Sequence, residues 1–136
     1  SVTSMDGMFN KASAFNGNLS EWDVSSLTNM DAMFYLASAF NDNLSEWDVS
    51  SVTDMDYMFV DASAFNGNLS EWDVSSVTSM QLMFKGASAF NQDLCAWGDK
   101  YPYTNARDIF FYSGCTFQDV PNEQQGGPFC ASSCSE

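Results

Sequence analysis

The chain has 136 residues, enough for one domain with its own core. Its 18 carboxylates face only four lysines and arginines, for a formal charge of −14, and it has no histidine. So acidic a surface repels phosphates and anionic lipid heads, which sets aside nucleic acid and membrane partners. The missing imidazole removes the commonest general base, the Ser-His and Cys-His nucleophile pairs and the usual zinc ligand.

From Ser1 to Asp99 the sequence repeats every 25 residues. Ser-Glu-Trp-Asp-Val-Ser-Ser stands at 20–26, 45–51 and 70–76, and Ala-Ser-Ala-Phe-Asn starts at Ala12, Ala37, Ala62 and Ala87. A fixed period of this length marks a solenoid, one coil stacked on the last. The chain opens inside a repeat without a methionine, which reads as a processed product or the C-terminal piece of a longer array. No signal peptide is visible, and no apolar run approaches the roughly 20 residues of a membrane span.

Each period opens on a helical signal. Val2, Met5, Met8, Phe9 and Ala12 recur at the spacing of one helix face. Thr3 with Asp6, Thr28 with Asp31, Thr53 with Asp56 and Thr78 with Gln81 read as N-caps and capping boxes. Phe15-Asn16, Phe40-Asn41, Phe65-Asn66 and Phe90-Asn91 mark a corner, where the Asn side chains satisfy turn backbone. A strand signal follows: Leu19, Trp22 and Val24 keep the L-x-x-L-x-L spacing of leucine-rich repeats with Trp in the middle slot. The fold expected is an α/β solenoid. It is a leucine-rich-repeat-like stack of strand–helix coils, with a parallel sheet on one face and a disulfide-bonded C-terminal cap. Residues 1–99 hold four repeats and 100–136 the cap, in one continuous domain.

After Trp97 the pattern degrades. Thr104, Ala106, Ile109 and Phe110 stand 26 residues after Thr78, Met80, Met83 and Phe84, a corrupted fifth unit. All four cysteines, Cys95, Cys115, Cys130 and Cys134, lie here, and their even number in a loop-rich tail reads as two disulfides in an oxidising compartment. A cap has to be tied to the last coil, so Cys130 and Cys134 are expected to bond outward to Cys95 and Cys115. Either of the two outward pairings satisfies this.

The run Trp22-Asp-Val-Ser-Ser-Leu-Thr-Asn-Met30, with Met33-Phe34 and Ala39-Phe40-Asn41, resembles the BspA-type leucine-rich repeats of the DUF285 or Mycoplasma-lipoprotein-like class. The later copies match as closely. The end, from Phe90 through Cys95-Ala-Trp-Gly98 to Gly127-Pro-Phe-Cys130, resembles the caps of such proteins in diatoms and related algae. The resemblance implies a secreted or cell-surface protein used in adhesion or extracellular assembly, and it carries over no catalytic residues.

Several constellations carry chemistry. Glu21, Glu46 and Glu71 with Asp23, Asp48 and Asp73 form an outward ladder at about one rung spacing, roughly 5 Å. Like charges that close should raise one another's pKa and attract a counter-ion, so weak calcium binding is expected, with no cofactor required. The same pairs have the separation of a retaining glycosidase, yet three equivalent pairs offer no acid–base division of labour. Met5, Met30, Met55, Met80 and Met8, Met33, Met58, Met83 read as core filler rather than a copper site. Asn18, Asn43 and Asn68 begin three N-glycosylation sequons. The Thr column reads as helix caps rather than an ice-binding face. Together these point to a non-enzymatic extracellular recognition, adhesion or assembly module. Its partner is a protein or glycan at the cell surface, or further copies of itself in a polymer. A carbohydrate-active enzyme is the competing class.

Overall fold

The computed structural model describes residues 2–134. Five coils lie on one another: coil 1 (2–25), coil 2 (26–50), coil 3 (51–75), coil 4 (76–100) and a shorter coil 5 (101–117). Phenylalanine rings of neighbouring coils stack 5.4–6.0 Å apart between centres.

The expected α/β architecture is overturned. Among the described residues the helical element is one three-residue 3-10 turn, Cys95–Trp97. Parallel pairing is confined to the single-residue bridges Ser4–Asn29, Asn29–Asp54 and Asp54–Ser79. Among the described residues there is no parallel sheet and no row of helices.

The segment read as a helix is a chain of consecutive turns. In coil 1 the amides of Met8, Asn10 and Ala12 close turns onto the carbonyls of Met5, Gly7 and Phe9. The amides between them, on Met5, Gly7, Phe9 and Lys11, instead reach coil 2 at the carbonyls of Asn29, Asp31, Met33 and Tyr35. The next three joints repeat this, ending with Met80, Leu82, Phe84 and Gly86 on Asn105, Arg107, Ile109 and Phe111. Positive φ at the third residue of a turn is the mark of type II. Gly7, Ala32, Tyr57, Leu82 and Asp108 have φ of 51–65°, and Lys11, Leu36, Asp61, Gly86 and Tyr112 have 56–73°. A two-turn helix is marginal alone and would turn its amides inward along its own axis. The turn chain sends alternate amides along the stack, so the backbone itself joins the coils. It still buries Met, Met, Phe and Ala at the spacing that imitates a helix face. The threonines are not caps: Thr28, Thr53 and Thr78 donate both amide and hydroxyl to the Thr carbonyl one coil earlier.

The segment read as a strand has no backbone ladder either. Trp22, Trp47 and Trp72 amides close local turns on Leu19, Leu44 and Leu69, and neighbouring coils are tied by side chains. Asn16, Asn41 and Asn66 accept from the amides of Asn41, Asn66 and Asn91 at 2.9–3.0 Å. Trp47, Trp72 and Trp97 donate Nε1–H to the carbonyls of Leu19, Leu44 and Leu69 at 2.9–3.0 Å. The inward set, Leu, Trp and Val, is nonetheless as the alternation requires; Trp47, Trp72 and Trp97 are buried.

Between the two sides runs a double file of rings. Phe9, Phe34, Phe59, Phe84 and Phe110 form one file and Phe15, Phe40, Phe65 and Phe90 the other, crossing at 4.1–4.4 Å. The methionines fill the gap beside them; Met30, Met33, Met55, Met58, Met80 and Met83 are fully buried.

At the C-terminal end Gly114 lies against the carbonyls of Ser88 and Phe90, where a side chain has no room, and delivers Cys115 to the stack. The tail returns antiparallel to coil 4: the Leu94 amide donates to Phe129 and the Ala131 amide to Gln92. Cys95 bonds Cys134 and Cys115 bonds Cys130, with Cα separations of 5.6 and 4.6 Å. Both tail cysteines are therefore tied outward. Tyr101, Tyr103 and Phe129 meet edge to face, and Ile109 and Phe110 are sealed. Ser1, Ser135 and Glu136 lie outside the described residues.

Candidate functional site

The face that repeats most faithfully is the strip at 18–25, 43–50 and 68–75. In each coil the Asn at its start accepts the amide two residues on: Asn18 from Ser20, Asn43 from Ser45 and Asn68 from Ser70, at 2.9–3.0 Å. Asp23, Asp48 and Asp73 do the same with the amides of Ser25, Ser50 and Ser75 at 3.0 Å. These Asx turns fix both side chains while the Trp between them anchors the rung. Asp93 repeats the turn with Cys95 in coil 4. Shallow clefts of about 420 and 340 Å³ open between successive rungs, the first lined by Asn41, Asp42, Asn43, Ser45, Gly67 and Asn68.

Glu21, Glu46, Glu71, Asp23, Asp48 and Asp73 all lie on this strip, with the three aspartates exposed. Those aspartates do not hold the raised pKa values expected from mutual repulsion. The hydroxyl and then the amide of Ser25, Ser50 or Ser75 hold each carboxyl below the usual range. Lys100 adds an ion pair with Asp73 at 3.5 Å. All three aspartates are thus shifted the same way by the same donors. Asn18, Asn43 and Asn68, which begin the sequons, stand at the start of each rung.

The model of the family described as Mycoplasma protein of unknown function, DUF285, matches residues 1–121. The chain belongs to the DUF285 family. Comparison with curated proteins finds no match, and comparison with solved structures finds none either. The DUF285 match spans all four regular coils and coil 5, so the acidic strip lies wholly inside it.

Within this DUF285 chain the tight carboxylate grouping is elsewhere. Oxygens of Asp31, Asp54 and Asp56 lie within 4.8 Å of one another on the turn side of coils 2 and 3, whereas no such grouping forms on the strip among the described residues. One joint later, Asp56 accepts the Ser79 hydroxyl at 2.5 Å and the Gln81 amide at 2.7 Å. At the coil 2–coil 3 joint Asp54 stands in the place of Ser79, so Asp31 meets an acceptor. The Asp56 amide, counterpart of Gln81's, donates to Asp54 instead. With both carboxyls ionised Asp31 Oδ1 is buried without a donor, and only a proton on the pair lets it bond Asp54. Burial first, then the bond to Asp54 and the charges of Asp54, Asp56 and Asp6, push its carboxyl up to about 8. Two carboxylates so placed share a proton. Sequence reasoning missed this because it assigned Asp31 and Asp56 to helix caps; aligning the coils one above another brings the pair out. Asp93, Cys95 and Cys134 also cluster, but both thiols are spent in a disulfide.

Proposed function

We propose that this protein is a non-enzymatic recognition module of the cell surface or extracellular space. Its acidic strip engages a cationic protein surface, or a glycan. The supporting observation is the threefold Asn-x-Ser-Glu-Trp-Asp-x-Ser face. Each rung presents the same carboxylates, its aspartate held in a fixed turn by serine and its register set by the Trp beside it. A rigid array of equal weak sites suits an extended partner, because linked contacts raise avidity without any single strong one. Net charge favours a basic partner and a salt-sensitive association. Two disulfides fit an oxidising compartment, and three sequons fit the secretory pathway. A cap of algal character belongs to the same reading.

Calcium enters this proposal as a weak, dispensable bridge between strip carboxylates, not as a cofactor. On the strip, the uniform downward shift of Asp23, Asp48 and Asp73 gives none of these aspartates the raised carboxyl that a catalytic acid needs. The sealed core at coil 5 argues against an open-ended polymer of this chain.

The test pairs the protein with a variant carrying Glu46→Gln, Asp48→Asn, Glu71→Gln and Asp73→Asn. Both are titrated with a lysine-rich peptide and with a panel of surface glycans at 50 and 200 mM salt. Binding of either probe that weakens at least tenfold in the variant supports the reading. Equal binding by both proteins, or none by either, sinks it.

A further inference from the structure

The two ends of the stack are unlike. At coil 5 the core is covered by the disulfide-tied tail. At coil 1 nothing among the described residues covers it. Val2, Met8 and Trp22 are 58%, 50% and 37% exposed, while their counterparts Leu27, Met33 and Trp47 are 1%, 0% and 4%. Phe9 and Phe15 are only partly buried against the core.

Unmet hydrogen-bonding capacity follows the same register. The carbonyls of Asn29, Asp31, Met33 and Tyr35 each accept an amide from the coil before, as do their equivalents at the next three joints. Their counterparts in coil 1, on Ser4, Asp6, Met8 and Asn10, accept no backbone amide among the described residues. The Thr28, Thr53 and Thr78 amides each find a Thr carbonyl one coil earlier, whereas the Thr3 amide has no such partner. Trp22 Nε1 likewise lacks the Leu carbonyl that Trp47, Trp72 and Trp97 use.

An ordinary β-strand does not fit this edge, because it alternates donors and acceptors along each side. Coil 1 offers four acceptors in a row at alternate residues, beside an apolar step made by two phenylalanines. The occupant has to present four amides at alternate residues on one side, which requires the same turn chain with positive φ at every second amide. It also has to bring a paired Met-Phe and a Leu carbonyl in the same register. We propose that the coil 1 face is an interaction surface for one further coil of this same repeat, docked in the orientation that coils 1 and 2 already show. This face continues the first three coil–coil interfaces within the chain, which share all these donors and acceptors, and the fourth, which shares the four turn-side amide–carbonyl bonds.

The experiment uses the full chain with residues 26–50 copied ahead of Ser1, the copied Trp changed to Phe so that it adds no indole signal. Amide hydrogen exchange is read at the copied Met, Ala, Phe and Leu that correspond to Met30, Ala32, Phe34 and Leu36. Tryptophan emission reports Trp22. The expected result is exchange at least about a hundredfold slower than in an unfolded chain at those four amides, with a blue shift of the emission. A control protein carries the same 25 residues in scrambled order. Exchange at unfolded-chain rates in the copied coil, or equal protection by the scrambled coil, overturns the proposal.

Discussion

The two sides of the coil solve the same joining problem with different atoms, and their sequences differ accordingly. On the turn side the coils are joined mainly by backbone amides and carbonyls, helped by the Thr hydroxyls and by Asp56 at one joint, so most outward side chains carry no share of the joint. The stacked positions there are heterogeneous: Gly7, Ala32, Tyr57, Leu82 and Asp108 in one column, Lys11, Leu36, Asp61, Gly86 and Tyr112 in another. On the strip side the joints are made by Asn carboxamides and Trp indoles, and the residues are copied without change: Asn16, Asn41, Asn66 and Asn91; Trp22, Trp47, Trp72 and Trp97. Sequence repeats where side chains hold the structure and drifts where the backbone does. Faithful repetition on the strip is thus partly a folding requirement, and the Glu column is the part that folding leaves unexplained.

The largest effect should come from the strip's inward anchor. Trp47→Ala removes a buried ring and the bond to the Leu19 carbonyl. It should cost about 3–5 kcal/mol in urea unfolding. Trp47→Phe keeps most of the ring and should lose about 1–2 kcal/mol for the orphaned carbonyl. If both variants lost less than about 0.5 kcal/mol, the strip joints would not be carried by side chains.

On the turn side the contrast is between two changes at Tyr57, whose φ is 61° and whose amide donates to Gln81. Tyr57→Pro forbids both the dihedral and the bond and should cost about 3 kcal/mol or more. Tyr57→Gly keeps both, and relief of the left-handed strain roughly balances lost backbone entropy, so stability should move by less than about 1 kcal/mol. A large loss with Gly would show that the tyrosine ring, not the peptide, holds that joint.

Asn66→Ala sharpens the strip side further. It removes the acceptor of the Asn91 amide and of Gln92 Nε2. The loss should be about 1–2 kcal/mol. The equivalent deletion on the turn side, Leu82→Ala, keeps its backbone bonds and should cost less. Equal losses measured by chemical denaturation would erase the distinction between the two sides.

The last contrast belongs to the turn-side joint of coils 2 and 3, where carboxylate meets carboxylate. Asp31 is raised in the folded protein from 3.8 to about 8, so folding takes up a proton there. Its contribution is full below about pH 4, declines as pH rises, and is gone above about pH 8. Asp54→Ser copies the Ser79 arrangement into this joint. It should raise the melting temperature at pH 8 by a few degrees and flatten the decline between about pH 4 and 8. An unchanged pH profile in that variant would mean that Asp31 does not hold the proton.

Much of the stack was legible in the residues: the period, the inward Leu-Trp-Val and Met-Met-Phe-Ala sets, the fifth unit at a 26-residue offset and the outward-bonded cysteines. What failed was the local conformation in both halves. Spacing at Met5, Met8, Phe9 and Ala12 records which side chains face inward, and a helix and a chain of alternating turns bury the same set. Only Gly7 and Gly86 hint at left-handed backbone; Ala32, Tyr57 and Leu82 adopt it because the joints on either side fix them. Trp22-x-Val24 alternation likewise records direction and not partners. The acidic strip was readable as outward carboxylates, but the serines that lower its aspartates depended on turns the strand reading did not contain.

The turn-side joints have one more consequence, because four backbone bonds in each run the same way, against the single Thr amide that runs back in the first three. Peptide units 4–5, 29–30, 54–55 and 79–80 form a file in which each amide donates toward the C-terminal end, the last to the Asn105 carbonyl, and three more files stand beside it. Aligned peptide dipoles add, as they do in a helix, where they leave roughly half an elementary charge at each end. On the turn side the forward files outnumber the Thr file that points back, so that side is polar along the stack, negative at coil 1 and positive at coil 5. Identical side chains in successive coils sit at different electrostatic potentials, so a copied sequence is not a copied chemistry.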